Sequence, residues 1–426
     1  MNKVRLSEIA KIIMGQSPKG ETCNQEGIGK PLLNGPTEFG DFYPTAKQFT
    51  TEGNKFSVKG DILFCVRGST TGRMNWANKE YVLGRGLASI RHKKGKELNH
   101  YLKYLIDFNL NAILKSTSGS TFPNLTGDML NSFEVVVLDD TNSRKVNDFL
   151  KSIDAKIELN NKINRELESM AKTLYDYWFV QFDFPDANGR PYKSSGGKMV
   201  YNAELKREIP EGWEVKPINT KVKIGSGFPF NSDDYSDTGK YKIITIKNVQ
   251  EGYLETSSVD YVSFLPNNIS AFCILKEGDI LMSLTGNVGR MCFVDQSNLL
   301  LNQRVGKLLG EKDFVTYAYF FFKRPENQKR LEKIAGGSSQ ANLSPIDAVK
   351  DKFPIPTASV LNNFTQLVNP LLNQILIKNQ ENQHLTALRD WLLPMLMNGQ
   401  VMVKEAEDPD SYRENMAAEP SSNYGN

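Results

Sequence analysis

The strongest pattern along the chain has the period of a helix. Residues 147–179 are polar on average, free of Gly and Pro and rich in good helix formers, which predicts one long helix. Within it Ile153, Ile157, Asn160, Asn164, Leu167, Ala171 and Leu174 recur at alternating steps of four and three, the seam of a coiled coil. A second long helix is predicted from about residue 362, with Leu371, Ile375, Asn382, Leu385 and Leu392 on its apolar side. Pro370 and Pro394 are expected kink points in it. Outside these segments the pattern changes to short β-like runs at 62–66, 133–138, 241–246 and 280–284, separated by turn residues. Strand and helix signals do not alternate regularly, which predicts α+β or barrel-like globular domains.

The two halves resemble each other. Gly60-Asp61-Ile62-Leu63 returns as Gly278-Asp279-Ile280-Leu281, a shift of 218 positions. Gly119-Ser120 and Asn124-Leu125 return as Gly337-Ser338 and Asn342-Leu343 at the same shift, and Gly72-Arg73-Met74 returns as Gly289-Arg290-Met291. Arg85-Gly86 loosely matches Arg304, with Gly306 near by, and Phe133 is matched to Phe353. Asn161 and Asn164 correspond to Asn379 and Asn382, again at 218. So long a period excludes a solenoid and predicts a duplicated domain. Asparagines in an apolar seam are candidates for fixing the register of a helix pair; a solvated helix surface is the alternative. The stretch 183–212 carries Pro, Gly and Ser and is expected to be a connector made of turns rather than a core element.

Composition narrows the chemistry. The 426 residues carry 52 basic and 49 acidic side chains, a net charge of +3, which excludes a histone-like polycation. The excess positive charge lies on the globular halves: 20 basic against 14 acidic residues in 1–145, and 17 against 15 in 214–350. Residues 404–426 hold 2 basic and 6 acidic residues and are expected to form a mobile acidic tail. Four cysteines without a CxxC pair and only three histidines leave no zinc ribbon and no disulfide framework to expect. The lack of a bilayer-length apolar run and of a signal-peptide pattern at MNKVRLSEIA fits a cytosolic protein with no membrane partner.

Enzyme signatures fail. Gly15 to Gly20 has Walker spacing, but Glu21 stands where the phosphate-holding lysine belongs. Gly225-Ser226-Gly227 runs into Phe228-Pro229 and opens no dinucleotide-binding helix. No aminomethyltransferase tetrapeptide, no metalloprotease HExxH and no GxSxG elbow occurs, so no catalytic residue and no metal ligand is assigned. Polar, glycine-rich turns are the remaining chemistry: Arg67-Gly68-Ser69-Thr70-Thr71-Gly72-Arg73 and Thr285-Gly286-Asn287 with Arg290, then 115–121 and 336–340. Backbone N–H groups, hydroxyls and guanidinium forks in such loops suit phosphate oxygens.

Tyr175-Asp176-Tyr177-Trp178-Phe179-Val180, Phe182-Asp183-Phe184-Pro185, Ser194-Ser195-Gly196-Gly197-Lys198-Met199-Val200, Ile209-Pro210-Glu211-Gly212-Trp213 and Leu392-Leu393-Pro394-Met395-Leu396-Met397-Asn398-Gly399 carry a resemblance. With these motifs the chain resembles the specificity (S) subunits of type I restriction-modification systems, from near residue 4 to about 403. The first half departs from the pattern in lacking an Ile-Pro-Glu-Gly-Trp lead. The resemblance implies an α+β fold of two repeated α/β target recognition domains joined by two long antiparallel coiled-coil helices in a pseudo-twofold arrangement. The corresponding boundaries are 1–143 and 213–357 for the recognition domains, 144–182 and 358–403 for the helices, 183–212 for the connector and 404–426 for the tail. It also implies a noncatalytic subunit whose partners are double-stranded DNA, two methyltransferase subunits and, in a restricting system, two restriction-translocase subunits. S-adenosylmethionine, ATP and Mg2+ are then expected on those partners and no cofactor on this chain.

If the halves read different bases, positions identical in both supply framework or phosphate contacts, and base readers lie where the halves diverge. This predicts Arg67, Ser69, Thr70, Arg73, Arg85, Lys115 and Ser120 as phosphate or framework residues in the first half. Their counterparts in the second are Asn287, Arg290, Arg304, Ser338 and Gln340. Base readout is predicted at Lys30, Asn34, Glu38 and Lys47, and at Lys242, Lys247, Asn248 and Gln250. Asn161, Asn164, Asn379 and Asn382 are the predicted register residues. A helix of about 27 residues spans ~40 Å, close to the 34–36 Å of one DNA turn, so the helices are expected to act as a ruler between half-sites. A stand-alone DNA-modifying enzyme and a coiled-coil interaction protein without DNA binding remain the alternatives at this level.

Overall fold

A computed structural model describes residues 2–115, 124–336 and 341–404; Ser120, Ser338, Gln340 and the acidic tail lie outside them. The chain divides into two units, residues 1–158 with 384–426 and residues 159–383. Each long helix therefore contributes to both units, where the sequence suggested helices as separate segments.

In the first unit Ile62–Cys65 is apolar at every position because it is buried on both faces. It is an inner strand of an antiparallel sheet in the order Ala10–Met14, Leu87–His92, Ile62–Cys65, Met74–Trp76. A second, five-stranded sheet is built around a parallel pair, Lys30–Leu33 against Tyr81–Leu83. A third ladder joins Asn2–Arg5 to Glu134–Val137. The helix Asn99–Phe108 buries Leu102 and Ile106 in the core that Ile62, Phe64, Ala88 and Ile90 form.

The second unit repeats the plan. Val222–Ser226, Val305–Gly310, Ile280–Ser283 and Met291–Phe293 form the same sheet in the same order. Tyr241–Ile244 runs parallel to Leu299–Leu301, and Glu214–Pro217 pairs with Lys352–Ile355. The repeated Gly-Asp-Ile-Leu turn is framework in both units. Asp61 accepts from Val58 N at 2.9 Å and pairs with Arg91 at 2.6 Å. Asp279 accepts from Lys276 N at 2.7 Å and pairs with Lys307 at 2.6 Å. The cation comes from the neighbouring strand each time, two residues apart in the repeat, and meets the same carboxylate.

Two sequence matches shift. Ladder pairing aligns Leu83 with Leu301, so Arg85 stands where Gln303 does and Gly86 where Arg304 does, rather than Arg85 with Arg304. The terminal ladders align Val135, not Phe133, with Phe353.

The first long helix spans Asp140–Tyr175. It begins at Asp140 because the Asp139 carboxylate accepts from Asn142 N at 2.9 Å, an N-cap bond. A π-helical turn, Asp176–Val180, ends it, and Trp178, Phe179 and Phe182 are all buried beyond Tyr175. The second, Ala358–Met397, is one helix that continues through both Pro370 and Pro394. The two run antiparallel within each unit. Val146 and Leu150 cluster with Leu393, Leu396 and Met397 in the first. In the second, Tyr175 and Phe179 pack on Phe364, Tyr317 and Phe320 on Tyr175, and Tyr317 on Phe179.

The connector is more ordered than its composition suggested. Met199–Asn202 and Arg207–Pro210 form an antiparallel hairpin, and Phe184, Ile209 and Trp213 enter the second unit's core. Phe184 stacks between Tyr192 and Trp213 at 4.7 and 5.4 Å, and Asp183 accepts from Ser194 N at 2.7 Å. Turn-forming residues thus shape a hairpin flanked by Phe184 and Trp213, whose rings pack as core.

Among the described residues no helix is long and apolar enough to cross a membrane, and no group of three or more His, Cys, Asp or Glu is placed to hold a metal ion.

Candidate nucleic-acid interface

The polar turns connect an inner strand of each four-stranded sheet to its edge strand, Ile62–Cys65 to Met74–Trp76 and Ile280–Ser283 to Met291–Phe293. In the first unit Cys65 N donates to Arg73 O and Gly72 N to Cys65 O, both at 2.9 Å. In the second Ser283 N donates to Arg290 O at 2.9 Å and Gly289 N to Ser283 O at 3.0 Å. Gly68 and Gly72, then Gly286 and Gly289, take φ between 70° and 97°, the left-handed region these tight turns require. Arg67, Ser69 and Arg73 project exposed from the first turn, and Asn287 from the second. Thr70 lies lower, its hydroxyl 3.7 Å from Cys65 Sγ. Arg290 is half-buried and differs from Arg73: its Nη1 donates to Gln250 Oε1 at 2.8 Å. Arg85 and Arg304 are exposed on the loops that lead into Leu87–His92 and Val305–Gly310, and Lys115 is exposed at the end of the helix Leu110–Lys115.

The predicted base readers separate into two groups. Lys30, Asn34, Glu38 and Lys47 belong to one hairpin in which Lys30 pairs with Thr50 and Leu32 with Gln48. Lys47 is exposed, Glu38 is half-buried and its carbonyl accepts from Thr45 N at 2.8 Å, and Asn34 Nδ2 donates to Gln48 Oε1 at 2.7 Å. Lys30 pairs with Glu80 at 2.6 Å and lies 4.7 Å from the Phe56 ring centroid. In the second unit only Lys247 stands exposed. Lys242 Nζ donates to Gln296 Oε1 at 2.9 Å, and Gln250 Nε2 donates to Lys247 O at 2.7 Å.

Asn248 is not a reader. It is 2% exposed, its Oδ1 accepts from Thr245 N and Oγ1 at 2.8 and 2.9 Å, and its Nδ2 donates to Glu255 O and Ser258 O at 2.9 and 3.2 Å. An amide with both ends engaged inside its own loop has nothing to offer a base edge. Sequence alone cannot separate an asparagine that knits a loop from one that points outward.

The register asparagines meet in the helix pair. Asn164 Nδ2 donates to Asn379 Oδ1 at 2.7 Å, and Asn382 Nδ2 donates to Asn161 Oδ1 at 2.7 Å. Asn160, fully buried, adds a bond to Asn382 Oδ1 at 2.9 Å and one to Glu381 Oε2 at 3.1 Å. The repeat shift carries Asn161 onto Asn379 and Asn164 onto Asn382, so each of the two cross-helix pairs is the other with its partners exchanged. That is the local signature of a twofold relation between the helices.

Beside the second unit's turn lies a cleft of about 650 Å3, lined by Ser226, Thr285, Gln303, Arg304, Asn342 and Ser344 among others. Ser226 and Gln303 are not among the residues predicted from sequence, because both lie outside the divergent stretches 30–47 and 242–250 and outside the glycine-rich polar turns.

Comparison with known proteins agrees with this architecture. The profile of the family described as "Type I restriction modification DNA specificity domain" matches residues 1–169 and 210–387. The chain is 29% identical over 359 residues to the type I restriction enzyme MjaIX specificity subunit of Methanocaldococcus jannaschii, covering 82% of this chain and 79% of that one. It is 24% identical over 416 residues to the HindI specificity subunit of Haemophilus influenzae, covering 83% and 89%. The crystal structure of the type I restriction-modification S subunit from M. genitalium superposes with a TM-score of 0.54 at 16% identity, over 95% of this chain and 96% of that one, a likeness of fold. Two copies of one recognition fold, antiparallel helices with exchanged asparagine pairs and a profile match over most of the sequence lead to one conclusion: the chain belongs to the type I restriction-modification DNA specificity family.

Proposed function

We propose that this chain is the noncatalytic sequence-specificity subunit of a type I restriction-modification complex, in which each unit reads one half of a split DNA site in the major groove. The observation that carries this reading is the duplication: one sheet order and one set of turns, built twice, with divergent side chains at the loops. A single reader suffices for one contiguous site, whereas two related readers on one chain suit a bipartite one. The polar turns, with exposed Ser69 and Arg73 on one unit and exposed Asn287 on the other, supply groups for phosphate oxygens.

Two methyltransferase subunits are the proposed partners, joined by two restriction-translocase subunits where the system also cleaves. S-adenosylmethionine, ATP and Mg2+ would bind those partners. Support for paired docking comes from repeat-equivalent apolar residues left exposed on the long helices: Leu159 and Ile377 are each 50% exposed, Met170 and Leu388 55% and 44%. An apolar residue at equivalent positions of a duplicated element offers the same contact twice, as two copies of one partner need.

The test is a gel shift of the assembled complex on genomic fragments across a salt series, run beside the chain alone with S-adenosylmethionine or Mg2+. The expected result is sequence-selective binding that weakens steeply with ionic strength and no methyl transfer or cleavage by the isolated chain. Turnover by the chain alone would establish an enzyme instead, and salt-insensitive or absent DNA binding a protein-interaction scaffold.

A further inference from the structure

We propose that the surface beside the inner strand of each four-stranded sheet, an open cleft in the second unit and filled in part by Met14 in the first, is where that unit chooses its bases, with Arg67 and Arg85 as the selecting side chains in the first unit and Thr285, Gln303 and Arg304 in the second. The proposal rests on the DNA-specificity reading above and assigns it to particular side chains.

Several backbone bonds around this position recur in both units. Arg67 bridges Asn124 as Thr285 bridges Asn342. Val66 N donates to Gly86 O at 2.9 Å, and Leu284 N to Arg304 O at 3.1 Å. Leu125 N donates to Val66 O at 2.9 Å, and Leu343 N to Leu284 O at 2.7 Å. Gln16 N reaches Leu83 O, and Phe228 N reaches Leu301 O, both at 2.8 Å. Gly15 and Gly227 hold the closest approach: a Cβ there would lie 2.2 Å from Gly84 O or 2.3 Å from Leu301 O, so only glycine fits. A hydroxyl then caps the short helix at the rim, Thr126 toward Met129 N and Ser344 toward Asp347 N.

On this constant frame the side chains around the cleft change. Arg67 is replaced by Thr285, Arg85 by Gln303, Gly86 by Arg304 and Met14 by Ser226, while Asn124 and Asn342 stay the same. Met14 fills space in the first unit, its Cγ 3.2 Å from where a Gly127 Cβ would stand; Ser226 leaves that space open in the second. A fold used twice to read different sequences must keep what docks it and vary what touches bases. Here docking frame and variable chemistry sit side by side.

The variable groups are also available. Arg67, Arg85, Gln303 and Arg304 are exposed, and Thr285 Oγ1 is buried with no hydrogen-bond partner among the described residues. Asn248, Gln250 and Arg290, by contrast, spend their polar atoms on one another or on the local backbone. Guanidinium forks match guanine O6 and N7, a glutamine amide matches adenine N6 and N7, and a threonine methyl fits the thymine methyl. The first unit is accordingly expected to favour guanine contacts at this surface, and the second a mixed set that includes adenine.

The decisive variant places the first unit's identities in the second, Gln303→Arg with Arg304→Gly, co-expressed with its methyltransferase partner. Methylome sequencing and binding to a panel of duplexes give the two half-sites separately. The expected result is a change in preference of about tenfold or more at one or two base pairs of one half-site, with the other half-site and complex assembly unchanged. Unchanged preference in both half-sites overturns the proposal, as does uniform weakening on all sequences, the mark of a phosphate contact. Should the double variant fail to assemble, the single Gln303→Ala variant at the same exposed position decides between the same outcomes. If the native complex shows no sequence-selective DNA binding, the DNA-specificity reading itself falls and takes this assignment with it; selective binding with an unaltered variant removes only the assignment.

Discussion

The sequence marks Asn248 as a base contact and Arg290 as a phosphate contact, and the structure places both in hydrogen bonds within the second unit. Asn248 closes its loop with four hydrogen bonds in a buried position. Asn248→Ala strips those bonds from buried backbone groups and is expected to destabilise the second unit by about 2–4 kcal/mol, read as a lower urea midpoint without a shift in base preference. Arg290 anchors Gln250, so its free donors are fewer than those of Arg73. A second residue-scale effect concerns pH. His100 packs tilted against Trp76, ring centroids 4.5 Å apart, and burial lowers its pKa from 6.5 to about 4, against the attraction of Asp154. The unfolded chain therefore takes up this proton first as pH falls. The stability tied to neutral His100 is complete above pH 6.5 and is lost progressively between pH 6.5 and 4, by on the order of 1–3 kcal/mol. Thermal unfolding of the native chain and of His100→Gln across that window checks it: the variant should show the shallower pH slope.

In the long helices polar atoms are the expected source of register. Apolar seam positions such as Ile153, Ile157 and Ala171 supply burial, but they tolerate sliding by a heptad. The Asn161–Asn382 and Asn164–Asn379 bonds form in one alignment only. Asn164→Leu alone should lower stability by about 1 kcal/mol, because the Asn379 Oδ1 acceptor loses its donor in a half-buried site. Adding Asn379→Leu should recover stability to the native level or beyond, as apolar pairs replace the amides, while loosening alignment. A double-mutant cycle in urea, with cysteine cross-linking to report register, measures both; additive losses would show that the amides are uncoupled. The seam was legible in sequence because its period is local. The hairpin in the connector was not, since Pro, Gly and Ser mark turns without saying that Phe184, Ile209 and Trp213 would find a core to enter.

At the scale of the whole molecule the two reading units are covalently joined through helices of 36 and 40 residues, where the pattern at 147–179 marked 33 for the first. Four extra residues add about one turn and 6 Å to a helix. Inserting four residues into both long helices is therefore expected to lengthen the non-specific spacer between the half-sites of the methylated sequence while each half-site keeps its bases. Methylome sequencing of cells carrying the variant checks this; a spacer of unchanged length refutes the ruler.

The sequence by itself determined the duplication, the helical seam and the turn chemistry, because period, glycine placement and repeat identity are carried by neighbouring residues and survive without coordinates. Its local matching erred where a like residue stood one or two places off the constant shift of 218, as with Arg85 against Arg304 and Phe133 against Phe353. Only the tertiary structure decided which polar side chains are spent and which are free. That depends on partners distant in sequence: Gln250 is held by Arg290, forty positions on, whereas Gln303 faces an open cleft. A hydrogen bond between remote residues costs a side chain its availability, and no linear pattern records that cost.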